Sequence, residues 1–226
     1  MARMSTPPRG RPGRPVDPEI DSRVLSAALE VYSEVGWAGF TMNAVARRGG
    51  VGKAALYRRW PTRQDLFAAA INSLRTSGPV EITGSLYRDL TQTANRLINR
   101  FLGPHGMASI RALVDAKIYP DELGEALDYV RQSTIIGGRK IVLAAVDSGE
   151  LPPDVSPSLI MDALAGTLVH RILLIPDTRR AQLAANPEPL VAQVVDLVLR
   201  GVGWQGTVST RRTESGSGEP RTASEG

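Results

Sequence analysis

Cysteine is absent from this 226-residue chain. That removes disulfides, thiol catalysis and thiolate metal sites, and it fits a reducing cytoplasm. Histidine occurs only at His105 and His170, in no His-Glu-x-x-His or comparable spacing, so no metal site is expected. No run of about 18 apolar residues is present, which argues against a membrane span. The basic N-terminus lacks the apolar stretch and cleavage site of a signal peptide. No nucleophile–base pair or cofactor loop stands out, so neither enzymatic activity nor a cofactor is expected. Gly52-Lys53 is not part of a phosphate loop, because Arg47 replaces the first glycine and Ala54 the metal-binding hydroxyl.

What is present is an ordinary soluble composition, 42% apolar and 22% charged, enough for a real core. The net charge of +4 is unevenly placed: residues 1–63 hold eleven Lys and Arg against five Asp and Glu, the remainder sixteen against eighteen. Arginine outnumbers lysine 24 to 3, as a GC-rich coding bias would produce, so the location of the positive charge is more informative than its amount. It lies at the N-terminal end, where a polyanion would be met.

Residues 1–16 are rich in Pro, Arg and Gly and read as a flexible basic arm; residues 205–226, rich in Ser, Thr, Gly and Glu, read as a disordered tail. Between them the apolar spacing is helical throughout, which predicts an all-α fold. A first helix starts at Asp17-Pro18-Glu19, carries Ile20, Val24, Ala27, Ala28, Val31 and Tyr32 on one face, and closes at Gly36. Thr41 caps a short second helix from Met42 to about Gly49. Gly49-Gly50-Val51-Gly52 is a tight turn, and a third helix runs from Lys53 to Trp60. Pro61 stops it, and Thr62-x-x-Asp65 caps a fourth. Two short helices about a Gly-rich turn, the second opening with basic and small residues, form a helix-turn-helix pattern whose second helix suits the major groove. Further helices are predicted over 84–102, 106–118, 121–147, 157–175 and 189–203.

The run from Phe40 to Leu66 resembles the TetR-family pattern: a capping Thr41, Ala46-x-x-x-Gly50-Val51 across the turn, Leu56-Tyr57-x-x-Trp60 closing the recognition helix, then Arg63 before Asp65-Leu66. Gly52 stands where Ser or Thr is usual, and Arg63 where Lys is usual. The resemblance implies a three-helix DNA-binding domain over 17–63 and a helical ligand-binding and dimerisation domain over 64–204. It further implies a homodimer formed by the last two long helices, a double-stranded operator and a small-molecule effector. A looser resemblance runs through Gly149-Glu150-Leu151-Pro152, Asp162-Ala163-Leu164 and Val195-Asp196-Leu197.

Thr41, Lys53, Tyr57 and Arg63 are expected at phosphates, with Tyr57 alternatively a packing aromatic. Arg47, Arg48, Arg58 and Arg59 are either DNA contacts or solvated charges. Ala54 and Ala55 would face bases, Ala55 being able to touch a thymine methyl. Arg9 and Arg11, in Pro8-Arg9-Gly10-Arg11-Pro12, resemble a minor-groove hook or serve as a nonspecific arm. Leu164, Leu168, His170, Val191, Val194 and Val198 are expected at the dimer interface. Phe101, Met107, Tyr119, Tyr129 and Met161 are candidate pocket residues between helices, each also plausible as plain core, and the few polar residues inside suggest an apolar effector. The competing reading is an architectural DNA binder that uses the basic arm and has no effector.

Overall fold

The computed structural model describes residues 18–74, 82–204 and 206, with the backbone alone for Pro18 and residues 129–135. The arm with Arg9 and Arg11, and all of the tail except residue 206, lie outside the described residues. Among the described residues there are ten α-helices and no strand: α1 (Pro18–Gly39), α2 (Met42–Arg48), α3 (Lys53–Arg59), α4 (Arg63–Ser73), α5 (Leu86–Leu102), α6 (Gly106–Ile118), α7 (Pro120–Asp147), α8 (Pro157–Leu174), α9 (Asp177–Ala185) and α10 (Glu188–Gly201).

The N-terminal helices form because their apolar residues recur at helical spacing, and α2 and α4 are capped at their starts by threonine. Val24, Ala28, Val31 and Tyr32 of α1 are buried. The expected stop at Gly36 is a kink instead: Gly36 takes a φ of 68° and one further turn continues to Gly39. That turn swings Trp37 and Phe40 into the core, where they meet Tyr32 and Phe67 at ring-centroid distances from 4.7 to 6.1 Å, mostly edge-on, the geometry that ring quadrupoles favour. The Thr41 hydroxyl accepts from the Ala44 N–H at 3.2 Å. Thr62 and Asp65 close a reciprocal capping box on α4, worth about 1 kcal/mol.

A second core is built by α5, the C-terminal half of α7, α8 and α10, around Leu90, Ile98, Val142, Leu164, Leu168 and Val195. Fully burying each such side chain stabilises the fold by about 1.5–3 kcal/mol. The two cores are stitched by α6 and the start of α7. Ala108, Ala112, Leu123 and Leu127 pack into the N-terminal core, while Ile110 packs into the C-terminal one.

Two expectations need correction. Helix α9, Asp-Thr-Arg-Arg-Ala-Gln-Leu-Ala-Ala, was not anticipated: it buries no residue, so it leaves no apolar stripe in the sequence. Leu164, Leu168, Val191, Val194 and Val198 were expected at a dimer interface, yet all five lie in the chain's own core. Both α8 and α10 are apolar around most of their circumference, so periodicity could not tell the inward face from the outward one. His170 does lie on the outward face of α8. Helix α8 is long and apolar enough to cross a membrane by length and composition alone, with a mean hydropathy of 1.3; it carries Asp162 and Arg171 and packs into the C-terminal bundle.

Candidate nucleic-acid interface

The turn between α2 and α3 is fixed by backbone hydrogen bonds, Gly49 N–H to the Val45 carbonyl at 2.8 Å and Val51 N–H to the Ala46 carbonyl at 3.0 Å. Gly50 takes a φ of 62°, a conformation that side chains with a Cβ rarely adopt. Ala46 is buried and Val51 half-buried against the same core, while Leu56 anchors α3 from its inner side. Everything on the other side of α3 faces outward. Lys53, Ala54, Tyr57 and Arg58 are exposed, Tyr57 to 48%, and Ala55 is half-buried at the edge. Thr41 and Arg47 are exposed on α2 and its cap. Arg47, Lys53 and Arg58 form no ion pair with another described residue.

Three further arginines of this region are engaged within the chain. Arg48 pairs with Glu34 at 2.7 Å and Glu30 at 3.2 Å, and its hydrogen bond holds the Glu34 carboxyl below the usual glutamate range. Arg59 pairs with Asp21 at 2.9 Å. Arg63, expected at a phosphate, lies with its guanidinium 4.2 Å from the Trp37 ring centroid. It donates to the Trp37 and Phe40 carbonyls at 3.4 Å and pairs with Glu122 at the start of α7, lowering the Glu122 carboxyl from its usual value. To reach a phosphate, this side chain has to release Glu122.

Arg63 thus belongs to a bracket between the helix-turn-helix and the rest of the molecule. Its other half is Asp115 on α6, a buried carboxylate. Asp115 accepts from the Tyr32 hydroxyl at 2.8 Å and the Trp37 backbone N–H at 3.2 Å. Arg111, one turn earlier, lies 3.6 Å from the same carboxylate and donates to the Ser33 carbonyl at 3.3 Å. Its guanidinium occupies the space that a Cβ on Gly36 would need. Burial, then the Asp115 hydrogen bond, pushes the Tyr32 phenol well above its usual pKa, so it stays a donor. Sequence reasoning missed this bracket, since no local pattern links residues 78 to 83 positions apart.

The candidate pocket residues are not gathered in one place. Phe101 and Met161 are in the C-terminal core, Tyr119 packs against the N-terminal core, and Met107 is 48% exposed. The side chain of Tyr129 lies outside the described residues. These residue types fill irregular gaps anywhere, which is why type alone misplaced them. The interior is also more polar than expected: Asp89, Thr93 and Ser109 are buried. The Ser109 hydroxyl and the Nε of Arg100 have no hydrogen-bond partner among the described residues, and burial lowers the Arg100 guanidinium from its usual pKa. A groove of about 270 Å³ lies elsewhere, where the end of α8 meets α9 and α10, lined by Arg171, Ile175, Arg179, Gln182 and Leu190 among others.

Known proteins match both halves. The family described as "Bacterial regulatory proteins, tetR family" matches residues 24–70, and "Tetracyclin repressor-like, C-terminal domain" matches residues 80–198. The HTH-type transcriptional regulator Rv1556 of Mycobacterium tuberculosis is 32% identical over 171 residues, covering 71% of this chain and 82% of that protein. The chain belongs to the TetR family. Another relative in the family, the DNA-binding transcriptional repressor TetR of Mycobacteroides abscessus, is 30% identical over 163 residues, 67% of this chain and 80% of its own. The fold of this TetR-family chain is that of Salmonella enterica GusR, with a TM-score of 0.62 at 18% identity over 82% of this chain and 96% of the other. The protein is accordingly a helix-turn-helix transcriptional regulator, and α3 is the second helix of its helix-turn-helix.

Proposed function

We propose that this TetR-family regulator is a ligand-responsive repressor, a homodimer whose two α3 helices enter successive major grooves of a pseudo-palindromic operator about 34 Å apart. The observation that carries the reading is the outward face of α3 and the end of α2, where Arg47, Lys53 and Arg58 are exposed without an ion pair among the described residues and Tyr57 stands beside them. In this reading Thr41, Lys53 and Tyr57 hold phosphates, Arg47 and Arg58 add charge, and Ala54 and Ala55 admit close approach to base edges. Arg48 and Arg63 act chiefly within the chain, through Glu34 and Glu122.

The effector enters the helical domain between α5, α6, α7 and α8. Its signal reaches DNA through the bracket, since α6 holds the end of α1 through Asp115 and α7 holds Arg63 through Glu122. A displacement of α6 that breaks these contacts re-aims the two recognition helices and releases the operator, a coupling of about 1–3 kcal/mol.

Competition binding tests the reading, using the full-length protein, fragments of its own upstream region and an excess of random duplex. Saturable two-fold-symmetric protection that survives the competitor supports it. Lys53→Ala then weakens binding to all sequences alike and reduces the salt slope by about 1. Binding that random DNA abolishes on every fragment points to an architectural binder.

A further inference from the structure

We infer that the effector of this regulator is an organic acid, an apolar molecule bearing one carboxylate, and that Arg100 of α5 and Ser109 of α6 receive that carboxylate. The inference rests on the ligand-responsive reading above and adds to it the effector's chemical class and its anchor. It starts from two polar atoms inside the helical domain that the chain leaves unused. The Nε of Arg100 and the hydroxyl of Ser109 are shielded from solvent and have no hydrogen-bond partner among the described residues, and Ser109 is only 4% exposed. Buried polar groups in folded proteins are nearly always hydrogen-bonded, so each exception has a cause.

Both atoms belong to one corner of the fold. Arg100 lies three residues before Gly103, where α5 ends, and Ser109 three residues after Gly106, where α6 begins. At about 1.5 Å of rise per residue, each stands about 5 Å from its end of the turn, so the two sit at matching levels of adjoining helices. On α5, Arg100 follows Asp89 and Thr93 at spacings that place all three on one side of the helix, and Asp89 and Thr93 are buried. The surroundings are apolar: Ile98 and Phe101 of α5 and Ile110 of α6 belong to the C-terminal core. A cation and a hydroxyl set in hydrocarbon suit a ligand with an apolar body and one polar end.

The buried carboxylates of the described residues are engaged elsewhere. Asp89, about 16 Å back along α5, accepts from the Thr83 N–H at 3.1 Å and the Thr83 hydroxyl at 2.6 Å. Asp115 is held by the Tyr32 hydroxyl and the Trp37 N–H. Arg100 forms no ion pair with another described residue, and burial lowers its pKa with no anion to oppose the shift. Arginine does not escape by losing its proton, so the site calls for an anion from outside. A carboxylate fits. The guanidinium edge that carries Nε presents two parallel N–H groups to two carboxylate oxygens, the Ser109 hydroxyl adds a third donor, and one negative charge matches one cation. A phosphate monoester brings close to two negative charges and leaves the second unmatched in an apolar setting.

Titration calorimetry of the full-length protein tests this with two matched pairs, octanoate with octanol and phenylbutyrate with phenylbutanol, and with octyl phosphate. At least one acid binds about tenfold or more tighter than its alcohol, the factor that a hydrogen bond to a charged group provides. Arg100→Met cancels that preference, and Ser109→Ala weakens the acid by about threefold or more while leaving the alcohol alone. Without any ligand, Arg100→Met melts at or above wild type, because an unmatched buried charge is gone; far-UV circular dichroism confirms that each variant is folded. An Arg100→Met variant that melts well below wild type shows that the guanidinium already has a partner in the chain and overturns the inference. Alcohols that bind as tightly as both acids, an acid preference that survives Arg100→Met, or octyl phosphate binding tighter than octanoate also overturns it, while the ligand-responsive reading stands. An acid that binds through Arg100 yet leaves operator protection unchanged upholds the site and overturns that reading instead.

Discussion

Tyr32→Phe is the most informative single change in the bracket, because it deletes one oxygen and leaves the ring packing against Phe40 and Phe67 in place. In the wild type the hydroxyl donates to Asp115 at 2.8 Å, with the tyrosine fully buried and the carboxylate nearly so. A hydrogen bond to a charged acceptor contributes about 1.5–3 kcal/mol. The buried setting places Tyr32 toward the middle of that range; Asp115 keeps its bond from the Trp37 N–H and its proximity to Arg111, which limits the loss. The expected cost is about 2 kcal/mol, or a melting temperature lower by about 4–8 °C for a chain of this size. Asp115→Ala costs more, because it strands two buried donors, the Tyr32 hydroxyl and the Trp37 N–H, at about 1–3 kcal/mol each. Calorimetry of wild type, both single variants and the double variant closes a thermodynamic cycle, and Tyr32→Phe is nearly silent once Asp115 is gone. A Tyr32→Phe melting temperature within 1 °C of wild type, or full additivity of the two changes, would refute the assignment of Asp115 as the acceptor that fastens α1.

Glu122→Gln tests the second half of the bracket through pH. The Arg63 hydrogen bond keeps the folded Glu122 carboxyl below its usual pKa. The stability this contributes is fully present above the ordinary glutamate value of about 4.3 and is lost as pH falls through the lowered one. Wild type therefore melts above Glu122→Gln near neutrality and the two curves converge in acid; parallel curves contradict the pairing. Gly36→Ala places a Cβ 2.0 Å from the Arg111 Nη2 at a φ of 68°. It lowers thermal stability by about 1–2 kcal/mol, and a melting temperature equal to wild type would show that the kink relaxes freely.

The elements were legible where their causes are local. Thr41 and the Thr62–Asp65 box announce helix starts because a capping oxygen needs a backbone N–H two or three residues away. The Ala46–Val51 turn announces the helix-turn-helix for the same reason. What stayed hidden depends on partners distant in sequence. Arg63 looks like a free cation until Glu122, 59 positions on, folds against it, and Arg48 until Glu30 and Glu34 are brought alongside by α1. Helices α8 and α10 were legible as helices, but their faces were not. Leu164 and Leu168 point inward while Leu159, Leu173 and Leu174 point outward, and leucine is the same letter in both settings. Helix α9 escaped because no residue of it is fully buried, with only Leu183 half-buried against the C-terminal core.

The shared packing of α6 and α7 against α1 and α4 bears on recombination between regulators. Ala108, Ala112, Leu123 and Leu127 complete the core that Val24, Phe40, Phe67 and Ile71 begin, so a cut after α4 opens a hydrophobic wall. A chimera that grafts a foreign sensor onto residues up to α4 inherits reading specificity but replaces the surface that closes the reader's interior. Hybrids that fold are those whose new sensor supplies small side chains at the positions of Ala108 and Ala112 and a carboxylate at that of Asp115. Here the heritable module is a discontinuous set of helices, α1 to α4 together with α6 and the first turns of α7, and segment shuffling respects it only when both pieces travel together.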